Sequence, residues 1–154
     1  DGAQRVLLNG EDVSEAIRTP EISYYASKVS AVPEVRRFLL ETQRNMAKNS
    51  SILMDGRDIG TVILPDAPVK IFLTASAQSR AERRYKELIE KGQQVTMDGI
   101  LHDINERDRQ DMTRAVAPLK QADDAVLLDT SSLTLEESIA AVLRIIREKT
   151  EEKA

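Results

Sequence analysis

Cysteine and tryptophan are absent from the 154 residues, histidine occurs once, and aromatic residues make up only 3% of the chain. Without thiols there are no disulfides, thiolate nucleophiles or zinc–thiolate sites, and His102 alone cannot build a polyhistidine metal site. The three tyrosines and two phenylalanines are not interleaved with basic residues, as a base-stacking platform requires. Neither sign of charge dominates: 22 Lys and Arg against 26 Asp and Glu give a net charge of −4, which does not favour coating nucleic acid. No apolar run approaches the ~20 residues that span a bilayer, and the first residues lack the charged and apolar regions of a secretory signal. The expected location is the cytosol, with neither membrane nor nucleic acid as partner. Asn49-Ser50-Ser51 fits a glycosylation acceptor only formally, since that motif has meaning in secreted chains. No Gly-x-Ser-x-Gly elbow accompanies His102, and no carboxylate pair stands in a motif specific to glycosidases. What is present, 41% apolar and 31% charged residues over this length, is the balance of one folded domain.

The first residue is Asp1 rather than Met, and a strand-like Arg5-Val6-Leu7-Leu8 follows almost at once, so the sequence reads as part of something longer. Asn9-Gly10 supplies a turn, and a short helix is expected over Asp12 to Ile17. Thr19-Pro20-Glu21 reads as an N-cap, a first-turn proline and an acid at the positive end of a helix. Pro33 restarts helix, with Val35, Phe38, Leu39, Thr42 and Met46 on one face. Three short apolar runs, Ser51–Met54, Val69–Leu73 and Ala125–Leu128, suit buried strands of a parallel sheet with helices on both faces. A polar helical stretch is expected from Ala77 to about Arg114. Thr134-Leu135-Glu136-Glu137 is a capping box opening a last helix with Leu135, Ile139, Val142, Leu143 and Ile146 on its buried face. A charged, fraying tail follows Arg147. Strand alternating with helix predicts an open α/β sheet.

Ligands of such sheets lie beyond the carboxyl ends of the strands. There the sequence places Asp55-Gly56-Arg57-Asp58-Ile59-Gly60-Thr61, two glycines around an Arg-Asp pair. Arg57 has the planar fork that suits phosphate, and Asp58 can accept hydrogen bonds from a ring amino group; alternatively the pair decorates a turn. Arginine supplies 14 of the 22 basic residues. Arg80, Arg83 and Arg84 share one side of a helix, where they either close over a polyphosphate or form an exposed face paired with Glu87 and Glu90. At about 100° per residue, Arg107, Asp111 and Arg114 point within roughly 60° of one another. Two arginines bracketing an acid make a site for a sugar hydroxyl beside a phosphate, or equally a surface ladder worth ~0.3 to 0.5 kcal/mol per pair.

Taken together, five strings give the chain a likeness along nearly its whole length: Leu8–Val13 with Ile17-Arg18-Thr19; Asp55–Val62; Pro65–Leu73; Arg80-Ala81 with Arg83-Arg84; and Arg107-Asp108-Arg109 leading into Arg114–Leu119. On these the chain resembles the bacterial cytidylate (CMP) kinases of the nucleoside monophosphate kinase group. The resemblance implies an α/β, parallel-sheet fold of the P-loop kinase type, with a helical lid at about residues 80–114. It also implies a monophosphate-binding insert over residues 1–48, with residues 49–154 forming the remainder of the core. The implied activity is transfer of the γ-phosphoryl group of ATP to CMP or dCMP, with Mg²⁺ held through the ATP phosphates. By the same resemblance Ser27, Arg36 and Asp58 read the cytosine, Arg57 binds phosphate, Arg107 and Asp111 meet sugar and phosphate, and Arg114 is a further phosphate ligand. Arg57, Arg107 and Arg114 are the expected catalytic residues, and Arg80, Arg83 and Arg84 fall where the lid begins.

One element of the family pattern is not found: none of the six glycines is followed by lysine, so Gly-x-x-x-x-Gly-Lys-Ser/Thr does not occur. In the family that loop cradles the ATP phosphates and follows the central strand, so these residues are expected to lack the middle of the sheet and to turn over little CMP alone. A separate N-terminal segment is then an expected partner, and a CMP-binding module without kinase activity is the alternative reading.

Overall fold

The computed structural model describes residues 5–151, which form two compact units, one ending at Asn45 and the other starting at Met46. Expectations for the tail beyond residue 151 lie outside the described residues.

In the first unit, β1 (Leu7–Leu8) pairs antiparallel with β2 (Glu11–Asp12). Asn9 and Gly10 join them with φ of 52° and 88°, the two positive angles that a tight hairpin turn of matching twist requires. The helix expected over Asp12 to Ile17 does not form. Asp12 is in β2, and its carboxylate accepts from both the amide and the hydroxyl of Ser14, at 3.0 and 2.6 Å. Such local bonds offer the backbone a turn in place of a helix. α1 (Pro20–Ser30) starts as expected: the Thr19 hydroxyl accepts from the amide of Ile22 at 3.2 Å, with Pro20 in the first turn. α2 (Pro33–Asn49) follows in series. Neither helix buries a residue, and on the expected apolar face Phe38 is 77% exposed. The spacing that makes the helix amphipathic does not itself provide a surface to cover it.

In the second unit, β3 (Ile71–Thr74) and β4 (Val126–Asp129) run parallel in the register Ile71↔Val126 to Thr74↔Asp129. Both lie within two residues of the apolar runs that announced them, and the chain is an α/β protein with a parallel sheet. The third run, Ser51–Met54, is not a strand. Strands exist by pairing, and among the described residues the sheet holds only β3 and β4, so Leu53 stands 90% exposed. The paired strands are not buried throughout either, since Leu73 and Leu127 are 60% and 57% exposed.

The polar stretch from Ala77 to Arg114 is a helical hairpin rather than one helix. α3 (Ala77–Glu90) stops at Lys91, Gly92 takes a left-handed φ of 73°, and α4 (Met97–Thr113) restarts behind a Thr96 cap. Ala81, Leu88 and Ile100 meet between the two helices, with Tyr85, Val95, Met97, Leu101 and Ile104 packed around them. α5 (Leu135–Glu151) opens with the expected capping box: the Thr134 amide donates to Glu137 at 2.8 Å and the Glu137 amide donates back to the Thr134 hydroxyl at 3.2 Å. Its buried residue is Ile145, one position away from the expected stripe, while Leu135 and Ile139 are 71% and 51% exposed. Apolar side chains occupy more than one side of α5, and a two-stranded sheet is too narrow to cover them all.

Candidate functional site

After Met54 the chain turns through Asp55–Arg57 into a single π-helical turn, Ile59–Ile63, with Asp58 at its head. The Leu64 amide reaches back five residues to the Ile59 carbonyl at 2.7 Å. The flanking glycines are not there for a positive φ, as tight turn geometry would suggest; they permit close approach. A Cβ on Gly56 would lie 2.9 Å from Ile59 Cγ1, and one on Gly60 would lie 3.2 Å from Lys70 Cδ. Lys70 cannot readily move aside, because its ammonium donates to the Pro65 carbonyl and pairs with Asp124 at 2.6 Å. Gly60→Ala is therefore expected to lower stability by about 1 to 2 kcal/mol through overpacking. The Lys70→Ala background should remove most of that loss, and denaturant titration of the four proteins checks it.

Asp58 at the head of this turn is 6% exposed, and Asp111, on the last turn of α4, is 5% exposed. Arg114 is the C-cap of α4, with φ −60° and ψ 142°, so the helical arithmetic that placed it beside Arg107 and Asp111 stops one residue short of it. Its guanidinium nevertheless returns to them. Nε donates to the Ala117 carbonyl at 2.7 Å, while the terminal nitrogens lie 3.5 Å from Asp58 Oδ1 and 3.7 Å from Asp111 Oδ1. Arg57 donates through Nε to Asp111 Oδ2 at 3.1 Å. The Arg107 side chain, one helical turn before Asp111, feels the charges of Arg57, Asp111 and Asp108 and is partly withdrawn from water. Partial loss of water first, and then the Arg57 charge, lower its pKa against the raising effect of Asp111 and Asp108. Three guanidiniums and two buried carboxylates so converge on the segment following Met54 and on the end of α4. Arg114 Nη2 is buried without a hydrogen-bond partner. Chemically, the arrangement can offer forked cations to an oxyanion and carboxylate to a hydroxyl or amino group.

The remaining expected residues have other surroundings. Arg80 makes a two-pronged ion pair with Asp108, at 3.0 and 2.6 Å, and also donates to the Ala75 carbonyl. Arg83 donates to the carbonyls of Thr130 and Leu133, and Arg84 pairs with Glu87 at 2.7 Å. Of the two readings of these arginines, only the pairing of Arg84 with Glu87 matches the surface ladder; Arg80 and Arg83 hold the loops that leave β3 and β4. Asp108 gave no signal in the sequence beyond its place in a string, because its partner lies 28 residues away. In the first unit, Arg36 donates to the Ser30 carbonyl at 3.0 Å and the Ser30 hydroxyl to the Ser27 carbonyl at 2.8 Å, so Ser27 and Arg36 share the corner between α1 and α2.

Arg109 faces away from this chemistry and clamps Glu106 at 2.9 and 2.6 Å, with Gln110 adding a third bond. The Arg109 bonds first, and then Gln110, hold the Glu106 carboxyl down at about 2 against an ordinary 4.5. A lowered carboxyl pKa contributes stability above the unfolded value, and that contribution is lost as pH falls from about 4.5 through about 2. A side-chain NMR titration should find the Glu106 midpoint near 2, and Arg109→Ala should return it towards 4.5.

A family model described as cytidylate kinase matches residues 2–148. The cytidylate kinase of Thermosipho melanesiensis is 56% identical over 143 residues, 93% of this chain and 66% of that protein. That of Carboxydothermus hydrogenoformans is 49% identical over 151 residues, 98% of this chain and 68% of that protein. The Pasteurella multocida cytidylate kinase is 51% identical over 154 residues, 100% of this chain and 68% of its own. The chain spans about two thirds of the length of the curated relatives it matches.

Proposed function

The chain belongs to the cytidylate kinase family, and on that premise we propose that it acts in transferring the γ-phosphoryl group of ATP to CMP or dCMP, giving CDP or dCDP and ADP. The observation that carries the reading is the convergence of Arg57, Arg107 and Arg114 on buried Asp58 and Asp111. In this reading the three arginines hold the attacking CMP phosphate and meet the charge that spreads over the equatorial oxygens of the γ-phosphoryl group during in-line transfer. Asp111 accepts from a sugar hydroxyl, Asp58 from the cytosine amino group, and Ser27 and Arg36 of the segment up to Lys48 complete the reading of the base. Arg80, Arg83 and Arg84 belong to the lid. Mg²⁺ travels on the ATP phosphates and water. The guanidinium-rich cluster offers it no ligand set, so no step is assigned to protein-held metal. The reaction is one of nucleotide metabolism in the cytoplasm; among the described residues no helix is long and apolar enough to cross a membrane.

A second reading concerns a polypeptide of these 154 residues alone. With no Gly-x-x-x-x-Gly-Lys string, it holds the monophosphate side of the reaction without the cradle for ATP, so it binds CMP and does not turn it over. Calorimetric titration with CMP, dCMP and UMP, run beside a coupled ADP-release assay on the same polypeptide and on the full-length protein, tests both. CMP binding by the polypeptide with turnover only in the full-length protein is the expected result. Turnover by the polypeptide at ~1 to 100 s⁻¹ would overturn the second reading, and a full-length protein inert towards CMP would overturn the first.

A further inference from the structure

Ala117 has φ of +49°, a left-handed backbone conformation that a residue with a Cβ seldom adopts, and Pro118 behind it further restricts its choices. The turn that contains it is tied at both ends to the last turn of α4: the Arg114 amide donates to the Gln110 carbonyl at 3.0 Å and the Leu119 amide to the Asp111 backbone carbonyl at 2.8 Å. Backbone held in a sparsely populated region marks a place that the surroundings over-determine, and such places gather at functional sites. Here the adjacent contact is the Ala117 carbonyl, which accepts the Arg114 Nε–H at 2.7 Å. That bond occupies one edge of the guanidinium and turns the two terminal nitrogens towards Asp58 and Asp111, at 3.5 and 3.7 Å. Both distances exceed a good hydrogen bond, and Nη2 has no hydrogen-bond partner.

We propose that Ala117 is a positioning residue: its left-handed backbone sets its carbonyl so that Arg114 presents its terminal nitrogens, unspent, to an anionic group of the bound nucleotide. This rests on the phosphoryl-transfer reading above for its consequence, though not for its geometry. Ordinarily an arginine beside two buried carboxylates swings into short, two-pronged bonds with one of them. The bond to the Ala117 carbonyl opposes that swing by fixing Nε–H, so the terminal nitrogens stay at ion-pair rather than hydrogen-bond distance from the carboxylates and face a ligand oxygen. Glycine at 117 takes the left-handed conformation freely and keeps the carbonyl in place, whereas a β-branched residue is driven out of it.

The test uses the full-length protein with Ala117→Gly, Ala117→Val and Arg114→Lys, read in two ways. In the first, the Arg114 Nε–H resonance, assigned by its loss in Arg114→Lys, should exchange with solvent far more slowly than that of Arg144, whose side chain is 71% exposed. In the second, Ala117→Val should lower kcat by about a hundredfold with the KM for ATP unchanged, the cost of a misplaced catalytic group, while Ala117→Gly stays at the wild-type rate. A folded Ala117→Val protein with wild-type kcat overturns the proposal. So does an Arg114 Nε–H that exchanges as fast as that of Arg144. If Ala117→Val does not fold, the resonance still decides, and so does Ala117→Gly, whose loss of activity would overturn the idea. A wild-type protein that does not phosphorylate CMP sinks the functional reading alone, because the exchange of the Arg114 proton measures the positioning without turnover.

Discussion

Arg114→Ala is expected to lower kcat for CMP phosphorylation by about 10² to 10³, the usual cost of deleting one fixed donor aimed at charge that develops in a transition state. On the proposed reading the effect should fall on kcat more than on KM for CMP, since Arg57 and Arg107 would remain to bind the ground-state phosphate. The same change should also cost stability. Asp58 and Asp111 are each 7% exposed at the side chain and Arg114 is 11% exposed, so removing the cation strips buried carboxylates of a counter-charge. Breaking such a group from one side costs about 3 to 5 kcal/mol, and the retained Arg57–Asp111 bond places the loss at the lower end. Steady-state kinetics and chemical denaturation of the full-length variant check both. An unchanged kcat would remove Arg114 from the catalytic set, whatever happens to the midpoint of unfolding.

Asp58→Ala is the second. Asp58 is buried at the head of the π-helical turn, with the Arg114 fork 3.5 Å from its Oδ1, and on the proposed reading it accepts from the cytosine amino group. A site built to accept from an amino group rejects the analogue that lacks one, because the carboxylate is then left unpaired. Loss of Asp58 should therefore reduce the ratio of kcat/KM for CMP over UMP by about tenfold or more, corresponding to ~1.4 kcal/mol or more, and should weaken phosphate binding less. Competition by inorganic phosphate or pyrophosphate separates the two effects. Full discrimination between CMP and UMP in the variant would show that the base is read elsewhere.

How far local sequence carries depends on where the determining interaction sits. Thr19 with Pro20, Asn9 with Gly10, and Thr134 with Glu137 are contained within a few residues, and each forms as its chemistry dictates. Expectations failed where a partner was needed. Ser51–Met54 has the composition of a strand but no neighbour to pair with among the described residues, and the apolar faces of α2 and α5 outnumber the surfaces that cover them. Gly92 and Thr96 carried the signal that divides Ala77–Arg114 into two helices, and a left-handed glycine followed by a cap is a stronger stop than polar periodicity is a continuation. At the candidate site, residue types alone marked Arg57, Asp58, Arg107, Asp111 and Arg114 as candidates for phosphate and hydroxyl groups, with a surface ladder or a decorated turn as the alternative. Their proximity depends on the 54-residue separation of Arg57 and Asp111, which no spacing rule reaches. Ala117 gave no sign in the sequence beyond its place in a string, because what sets it apart is a backbone angle, not a side chain.

The apolar cluster of Ala81, Leu88 and Ile100 is closed within the α3–α4 hairpin. Deuterium should enter the backbone of these two helices last and that of Ser51–Met54 first, since local opening follows the density of buried contacts. Arg107 and Asp111 would then be mounted on the part of the described fold that opens last, while Asp58 belongs to a segment with no ladder behind it. A partly opened molecule would keep one wall of the candidate site assembled, and restoring the cluster would require only that the other wall settle back against it.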